Sequence, residues 1–406
     1  MPLRPPAGFI SAFYDPLNNP NAPTIGTASS TGTTTAAVAF TAPSNVGGSA
    51  ITSYTAISNP GAFTGSAASS PVTVTGLSNS TAYTFIVWAT NTYGPSAYSA
   101  TSNSITTGTI SGNIGIFDLG LSNQSGFQFV LFASTGNANT FGDLSYGAYL
   151  RAACGSTTRG VFGGGYSGAT SSMSYFTFTT LGNGTNFGSL TQSRGALSAC
   201  NSSTIGVFGG GGDSGGNGVN TIDYITIATT GNATDFGDLN YTPYGSASCS
   251  SSTRGIFAGG TLNDASTFYN TINYITIAST GNATTFGQLT NRVHGVAGCS
   301  SSTRGMFGGG NTSAGSDQVN VIQYITIAST GNATDFGDLT LARNYLAASS
   351  NSTLAMWAGG ATASGNTNVI DYVTIASTGN AADFGDLSIA STFDNTGCSN
   401  SSGGVQ

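Results

Sequence analysis

The sequence contains no lysine and no glutamate, and only 6% of its 406 residues are charged. An average soluble protein has about 25% charged residues. Because lysine and glutamate usually cover exposed helix faces, their absence argues against a helical protein. The 60 glycines and a surplus of serine, threonine and asparagine instead predict an almost wholly β protein with a neutral polar surface.

The shortage of charge also argues against several kinds of partner. The net charge is −7 and the eight arginines are scattered along the chain, so the basic cluster that releases counterions from a nucleic acid is missing. No apolar run approaches the roughly 18 to 20 residues of a membrane helix, and the opening residues lack the apolar segment of a signal peptide. We expect no nucleic-acid partner, no membrane insertion and no classical secretion signal.

Few side chains are suited to catalysis or metal binding. His294 is the only histidine, whereas a copper or zinc centre usually needs several. Without glutamate, only aspartates could form the carboxylate pair of a glycosidase, and most aspartates recur in register within an internal repeat, as structural residues do. We therefore expect no enzymatic activity, no cofactor and no bound metal.

The five cysteines also follow the repeat. Four of them occupy one repeat position and the fifth lies near the end of the chain: Cys154, Cys200, Cys249, Cys299 and Cys398. Equivalent positions in different copies should lie farther apart than the roughly 7 Å that a disulfide can span between Cα atoms. They are predicted to be buried free thiols that pack as small apolar side chains, with a ring of metal-binding thiols as the alternative.

The first 20 residues contain five prolines, which suppress regular structure. Residues 1–20 are therefore predicted to form an extended arm that is mobile in isolation and becomes ordered on a partner.

Residues 21–108 alternate short apolar runs with turn signals about every 8 to 12 residues, which is typical of a β-sandwich. The run GGSAITSY, from Gly47 to Tyr54, and the stretch from Leu77 to Tyr83 that leads into TFIVWATNTYGPS resemble a fibronectin type III domain. The resemblance implies that Tyr83 is the residue of a tyrosine corner. Phe40 stands where that family usually has tryptophan.

The remainder of the chain is a repeat. An F-G-x-L unit recurs every 46 to 50 residues, at Phe141, Phe187, Phe236, Phe286, Phe336 and Phe384. Each full copy contains four candidate strands: one around the cysteine, one ending in Gly-Gly, one containing Y-I-T-I, and the F-G-x-L unit itself. A period near 50 is typical of four-stranded propeller blades.

Residues 109–406 resemble kelch repeats, with phenylalanine in the fourth strand where tryptophan is usual. The segment before the first F-G-x-L unit supplies three strands, and residues 391–402 supply one more. Together they would complete one blade and remove the open edges of the array. The predicted fold is thus all-β, a fibronectin type III-like sandwich followed by a six-bladed kelch-like β-propeller closed by the C-terminal strand.

Two sets of loops differ in how strictly they repeat. The loops SSSTRG and ASTGNAT, which join strands one to two and three to four, are nearly identical between copies. The loops on the opposite face differ in every copy, and positions freed from repetition are where a specific contact can be built. Aromatic and basic side chains in these loops are the predicted binding residues: Tyr149, Tyr244, Tyr269, Arg292, His294, Arg343 and Tyr345.

The opening MPLRPPAGFIS, the stretch YDPLNNPNAPTIGTA and the sandwich that follows resemble structural proteins of marine, cyanophage-like tailed phages. The resemblance implies a virion protein, made in the host cytoplasm and carried on the particle surface as a tail fibre, neck fibre or head decoration. Its partners would be other virion proteins, contacted through the arm and the sandwich, and a host-surface glycan or protein. A homo-oligomer stays open, and the alternative is a cellular carbohydrate-binding or hydrolytic propeller.

Overall fold

A computed structural model describes residues 17–32, 34–78, 81–108, 112–120, 125–166, 169–262, 267–312, 317–391 and 396–405. Within these ranges the chain is all β, and its only helical element is the short 3-10 helix η1 (Gly403–Val405). The prediction of an all-β protein is therefore confirmed. No helix of the described ranges is long and apolar enough to span a membrane. The chain divides into two compact units, Met1–Ile110 and Ser111–Gln406.

The described part of the first unit contains two antiparallel sheets. Its strands are β1 (Thr24–Ser30), β2 (Ala36–Thr41), β3 (Ser53–Asn59), β4 (Thr64–Ala67), β5 (Val72–Val74), β6 (Ala82–Asn91), β7 (Gly94–Pro95) and β8 (Ile105–Thr106). One sheet has the order β1-β2-β5 and the other β4-β3-β6-β7, with β8 also paired to β6. Alternate residues of β2, β3 and β6 are buried in a single core shared by both sheets, as the period of two in a strand requires.

Two aromatic side chains singled out in the sequence lie in or against this core. Phe40 is buried, with its ring centroid 4.5 Å from that of Tyr54. The hydroxyl of buried Tyr83 accepts a hydrogen bond of 2.9 Å from the backbone N–H of Ser78, five residues upstream. Both side chains therefore fix the path of the chain between strands.

One edge of β6 is covered by a strap of serines. Ser96, Ser99 and Ser102 each donate a backbone N–H to a carbonyl of β6 and accept the N–H of the same β6 residue on the side-chain oxygen, at 2.7 to 3.0 Å. The spacing of three residues matches an extended polyproline II-like segment. The strap therefore satisfies backbone N–H and C=O groups at an edge of β6 that would otherwise be open to pairing with another chain.

The described end of the predicted arm lies against the sheets of the first unit. Asn18 donates its backbone N–H to the carbonyl of Gly47 at 3.0 Å, the Asn19 side chain donates to the carbonyl of Pro95 at 2.9 Å, and Pro20 is buried. Residues 18–20 are therefore held against the first unit, where asparagine satisfies the backbone groups of neighbouring turns. Residues 1–16, the rest of the predicted arm, lie outside the described residues.

The described part of the second unit contains six sheets, numbered in chain order. Sheet 1 begins with β9 (Ile114–Asp118), β10 (Gly126–Leu131) and β11 (Asn139–Asp143). Sheet 2 consists of β12 (Ala152–Gly155), β13 (Arg159–Gly163), β14 (Ser172–Thr177) and β15 (Thr185–Ser189). Sheet 3 consists of β16 (Ser198–Asn201), β17 (Ile205–Gly209), β18 (Thr221–Thr226) and β19 (Thr234–Asp238). Sheet 4 consists of β20 (Ala247–Ser250), β21 (Arg254–Ala258), β22 (Thr271–Thr276) and β23 (Thr284–Gln288).

Sheet 5 consists of β24 (Ala297–Ser300), β25 (Arg304–Gly308), β26 (Val321–Thr326) and β27 (Thr334–Asp338). Sheet 6 consists of β28 (Ala347–Ser350), β29 (Leu354–Ala358), β30 (Ala361–Thr362), β31 (Gly365–Thr374) and β32 (Ala382–Ser391). The last strand, β33 (Gly397–Ser399), pairs with β9, so sheet 1 has the order β11-β10-β9-β33. Sheets 2 to 5 are simple antiparallel meanders.

The pairing of β33 with β9 brings the two ends of the second unit together. Cys398 is the register partner of Ile116, and the Asn400 side chain accepts the N–H of Ile114 at 2.8 Å. We call β12, β16, β20, β24, β28 and β33 the inner strands. Each inner strand contacts the next in this order, and β33 contacts β12.

A backbone hydrogen bond links each sheet to the one before it. The glycine of every T-G-N or equivalent turn donates its N–H to the carbonyl of the F-G-x-L phenylalanine in the preceding sheet, at 2.7 to 3.1 Å. The last of these links runs from Gly136 of sheet 1 to Phe384 of sheet 6. The asparagine of the turn then accepts a backbone N–H from the same F-G-x-L strand, which we call the outer strand of its sheet. Asn332 accepts in this way from Gln288 at 3.0 Å. The T-G-N sequence therefore repeats because it joins neighbouring sheets.

The glycine of the F-G-x-L unit leaves room for this link. At Gly237, where φ is +142°, a Cβ atom would lie 2.5 Å from the carbonyl oxygen of Gly281 in the next sheet. At Gly385 it would lie 2.4 Å from the carbonyl oxygen of Gly136. A side chain at either position would push the two sheets apart.

The five cysteines are free and buried, which confirms the prediction of unpaired buried thiols. Three of them pack on a glycine of the following sheet. A Cβ atom at Gly206, Gly255 or Gly305 would lie 2.5 to 2.6 Å from the sulfur of a cysteine in the preceding sheet. The thiols therefore fill space between sheets, as small apolar residues do.

Removal of residues 397–406 should destabilise the second unit, because the edge of β9 would lose its partner and become exposed. We expect aggregation and a fall in melting temperature of about 10 °C or more, since 1 kcal/mol corresponds to about 2–4 °C for a domain of a few hundred residues. Scanning calorimetry and light scattering would measure this, with removal of Gln406 alone as the control. A truncated chain that melts and behaves like the control would show that β33 is dispensable.

Candidate binding face

Strands are counted outward from the inner strand, so that the third strand is β10 in sheet 1 and β31 in sheet 6. The third strand of each sheet carries a buried polar residue that holds the loop arriving from the preceding sheet. Its side chain accepts the backbone N–H of the residue that follows F-G-x-L, at 2.7 to 3.3 Å. The six residues, none more than 2% exposed, are Gln128, Ser174, Asp223, Asn273, Gln323 and Asp371. This contact ties the start of each variable loop to the core.

The two aspartates of this set occur where the loop carries a buried arginine. Arg194 binds Asp223 and Arg343 binds Asp371, each at 2.8 Å with both side chains fully buried. Each arginine also donates to three backbone carbonyls of its own sheet. In sheets 4 and 5 the arginine position holds Pro243 or Val293, and the third-strand residue is a neutral amide.

Arg343 therefore does not belong to a recognition surface, contrary to the sequence prediction. Its guanidinium is completely buried against Asp371 and the carbonyls of Trp357, Gly359 and Val369. Burial lowers the pKa of Arg343, and the Asp371 carboxylate opposes that shift. Planar guanidinium groups suit such sites because they can satisfy several carbonyls at once.

A third buried pair joins sheets 1 and 2. Arg151 donates from Nε and Nη2 to the two carboxylate oxygens of Asp118, both at 2.8 Å. Arg151 lies immediately before β12 and Asp118 is the last residue of β9, and both side chains are fully buried. The bidentate geometry fixes the angle between the two groups as well as their distance.

Arg159, Arg254 and Arg304 have structural contacts of another kind. Their guanidinium carbons lie 4.3 to 4.6 Å from the ring centroids of Tyr175, Tyr274 and Tyr324, respectively. Each also donates to a backbone carbonyl of the next sheet. Each of these long side chains therefore crosses the gap between two neighbouring sheets.

The loops that lead into the inner strands pass through a left-handed residue at the same position. Their φ values lie between +53° and +64°, at Leu150, Ala196, Gly245, Gly295 and Tyr345. Backbone N–H groups of this row donate to the carbonyl of the previous member at 2.8 to 2.9 Å, from Ala196 through Tyr345. The equivalent position before β33 falls in residues 392–395, outside the described residues.

Tyr345 occupies this conformation although two of its equivalents are glycine. A non-glycine residue in the left-handed region costs about 1–2 kcal/mol. Its hydroxyl lies 3.0 Å from Nε2 of His294, and the His294 ring lies 5.0 Å from that of Phe268. The structure therefore brings the predicted residues His294 and Tyr345 together. His294 is 8% exposed rather than a surface residue, and burial lowers its pKa.

A second aromatic group forms around Tyr166, which the sequence analysis did not select. Its ring centroid lies 6.1 Å from that of Tyr149 and 6.1 Å from that of Tyr244. All three rings are half-buried. The predicted residues Tyr149 and Tyr244 are thus connected, and the missed signal was that Tyr166 follows Gly-Gly in a variable loop.

The two remaining predicted residues stand apart from these groups. Tyr269 is half-buried and packs edge-to-face on Tyr241, with ring centroids 5.0 Å apart. Arg292 is exposed. The loops that carry the two aromatic groups and these residues form what we call the variable face.

The space between the inner strands is small. At the variable face a pit of about 80 Å³ is lined by residues such as Leu197, Val296 and Leu346. A second cavity of about 40 Å³ lies deeper, among the cysteines. Sites for organic ligands commonly measure about 300–1,000 Å³, so neither space holds a substrate of that size.

The C-terminal residues close the opposite end. A Cβ atom at Gly403 would lie 2.2 Å from the carbonyl oxygen of Ser301, and one at Gly404 would lie 1.9 Å from that of Asn201. Only glycine therefore fits at these positions of η1.

The buried thiols are poorly suited to metal binding or nucleophilic chemistry. Burial raises the pKa of Cys200 and of Cys299 to about 12, so both stay protonated near neutral pH, whereas the thiolate is the reactive form. Within the described ranges, no group of three or more histidine, cysteine or aspartate side chains could hold a metal ion.

No known protein family matches the chain, and no curated protein matches its sequence.

Replacing Asp371 by Asn should destabilise the protein strongly, because Arg343 would remain buried without its counter-charge. We expect a loss of about 3–5 kcal/mol, the usual effect of removing one partner of a buried ion pair. The double variant R343V/D371Q reproduces the combination found at Val293 and Gln323 in sheet 5 and should recover most of that loss. Urea unfolding of the three proteins measures the difference. Equal losses in the single and double variants would contradict a role for charge pairing.

Proposed function

We propose that the second unit is a six-bladed kelch-like β-propeller and the first a fibronectin type III-like sandwich. The closed order of contacts from β12 to β33 and back supports the propeller. So does the recurrence of the same inter-sheet hydrogen bonds at all six junctions, the one between sheets 6 and 1 included. The strand order and the Tyr83 hydrogen bond support the sandwich.

The propeller acts in binding, and its variable face makes the contact. One observation carries this proposal: the opposite face is built from links that repeat in every sheet, whereas the variable face presents two aromatic groups that differ from copy to copy. Tyrosine concentrates at binding surfaces because it supplies a large rigid ring with a polar tip. Six of the seven described arginines are occupied in buried pairs or on tyrosine rings, which leaves Arg292 for such contacts.

The whole chain serves as a structural protein of a tailed-phage particle, a fibre or decoration that presents the propeller outward. The resemblance of its opening residues and sandwich to marine phage structural proteins supports this assignment. The sandwich also offers an apolar contact surface for another virion protein. Tyr93 and Tyr98 are 47% and 64% exposed, and Tyr98 packs on Trp88 with ring centroids 5.5 Å apart.

Mass spectrometry of purified phage particles tests the assignment directly. The intact chain should be present in particles banded by density, at a stoichiometry shared with other appendage proteins. Recovery of the chain only in the soluble fraction of lysed cells would favour the cellular propeller instead.

Removal of side chains from the variable face should weaken attachment without lowering stability. The variant Y244A/R292A/Y345G removes two rings and the exposed arginine, and glycine at position 345 matches Gly245 and Gly295. We expect adsorption to host cells, or assembly with the neighbouring subunit, to weaken at least about tenfold. Binding of labelled protein to cells and assembly of particles measure these effects.

The matched control is S252A/T253A, which changes two exposed residues of an SSSTRG loop. These loops and the T-G-N turns form the opposite face, which we call the repeated face. It should bind and assemble like the unaltered protein. If the control loses binding while the triple variant keeps it, the contact lies on the repeated face.

A further inference from the structure

A groove of about 600 Å³ runs along β23, the outer strand of sheet 4. Its walls include Asn240 and Tyr241 from the loop after sheet 3, Thr285 and Gln288 from β23, and Asn332 from the T-G-N turn of sheet 5. Among the described residues that line it, none carries a formal charge at neutral pH. Its volume falls in the range of about 300–1,000 Å³ that is usual for ligand sites, so it has room for a short oligosaccharide.

We propose that this groove binds a neutral glycan. A sugar hydroxyl both donates and accepts hydrogen bonds, and the side chains of asparagine, glutamine and threonine do the same. The half-buried ring of Tyr241 adds apolar surface on which the C–H groups of a sugar can pack. The side chains of Asn240, Thr285, Gln288 and Asn332 are all exposed to a ligand in the groove.

The walls are held in place before any ligand arrives. Asn240 donates from Nδ2 to Oγ1 of Thr285 at 2.9 Å, and Asn332 accepts the backbone N–H of Gln288 at 3.0 Å. The Tyr241 hydroxyl donates to the carbonyl of Gly259 at 3.1 Å. A site whose side chains are already ordered loses less entropy on binding.

Sheet 4 differs from its neighbours in the sequence of its outer strand and in the residue at the position of Tyr241. The outer strands of sheets 3 and 5 read TDFGDL and carry two aspartates each, whereas sheet 4 reads TTFGQL. Gln192 and Asn291 stand where sheet 4 has Tyr241. A carboxylate that is covered by a neutral ligand loses hydration without gaining a counter-charge. Sheet 4 thus combines an aromatic ring with an uncharged strand.

Sheet 2 has a similar combination, with Tyr146 beside the uncharged outer strand TNFGSL. There, however, the guanidinium of Arg151 lies over the Tyr146 ring, 5.6 Å from its centroid. The ring surface that a sugar would use is therefore occupied in sheet 2. Tyr241 instead contacts Tyr269 edge-to-face, so the site is assigned to sheet 4.

The variant T285D/Q288D tests the site because it gives sheet 4 the outer strand that sheets 3 and 5 already have and so should fold. Affinity electrophoresis in native gels compares its mobility with and without dextran, galactomannan, mixed-linkage β-glucan or anionic alginate. We expect at least one neutral polysaccharide to retard the unaltered chain. The variant should bind at least about tenfold more weakly, since it loses hydrogen bonds and gains charge. Y241N, which introduces the residue of sheet 5, should weaken binding in the same way.

The reciprocal variant D335T/D338Q is the matched control, since it makes the same exchange in sheet 5 where no tyrosine is present. It should bind like the unaltered chain, and thermal unfolding should show all variants folded. Three outcomes would overturn the proposal: no neutral polysaccharide retards the chain, T285D/Q288D and Y241N bind normally, or D335T/D338Q loses binding equally. The site does not depend on the phage assignment, because none of these outcomes bears on whether the chain is found in particles.

Discussion

The hydrogen bond between a T-G-N turn and the preceding F-G-x-L strand is the contact on which the second unit depends. A single four-stranded sheet exposes two faces and cannot bury both by itself. The turn glycine and asparagine bind the backbone of the previous outer strand, and the F-G glycine gives them room. Because a Cβ atom at each F-G glycine would lie 2.1 to 2.5 Å from the carbonyl oxygen of the turn glycine, a side chain there would separate two sheets. This explains why these short sequences repeat while other loops diverge.

The same requirement divides the surface in two. Loops that carry the T-G-N bonds are constrained in every copy. The loops at the other end are held at their first residue by the buried polar side chain of the third strand, and near their last residue by the backbone bonds between left-handed residues. Beyond that anchor the side chains are free to differ. The structure uses this freedom in two ways, for buried arginine–aspartate pairs in sheets 3 and 6 and for aromatic groups around Tyr166 and His294.

Much of the strand arrangement of the second unit could be predicted from the sequence, because four short sequences recur with a period of about 50 residues and each marks one strand of a sheet. The burial of Arg343 could also have been found. Aspartate appears on the third strand only in the copies whose loop carries arginine, at Asp223 with Arg194 and at Asp371 with Arg343. The pair of Arg151 and Asp118 has no such signal, since Arg151 lies three residues beyond the repeat position and reaches the preceding sheet. Which aromatic side chains meet depends on which loops the order of the sheets brings together. No local sequence pattern specifies that order.

The positions of the arginines show how the few positive charges of the chain are used. Three are buried with aspartate and three lie on tyrosine rings between sheets, so Arg292 is the one arginine left on the described part of the variable face. The contacts proposed for this face would therefore depend largely on ring packing and on hydrogen bonds. Salt screens attraction between exposed charges over about 10 Å at 0.1 M and about 3 Å at 1 M, whereas burial of an aromatic ring is not weakened in this way. A surface of this kind therefore keeps its affinity at high ionic strength, where a charged surface would lose much of its own.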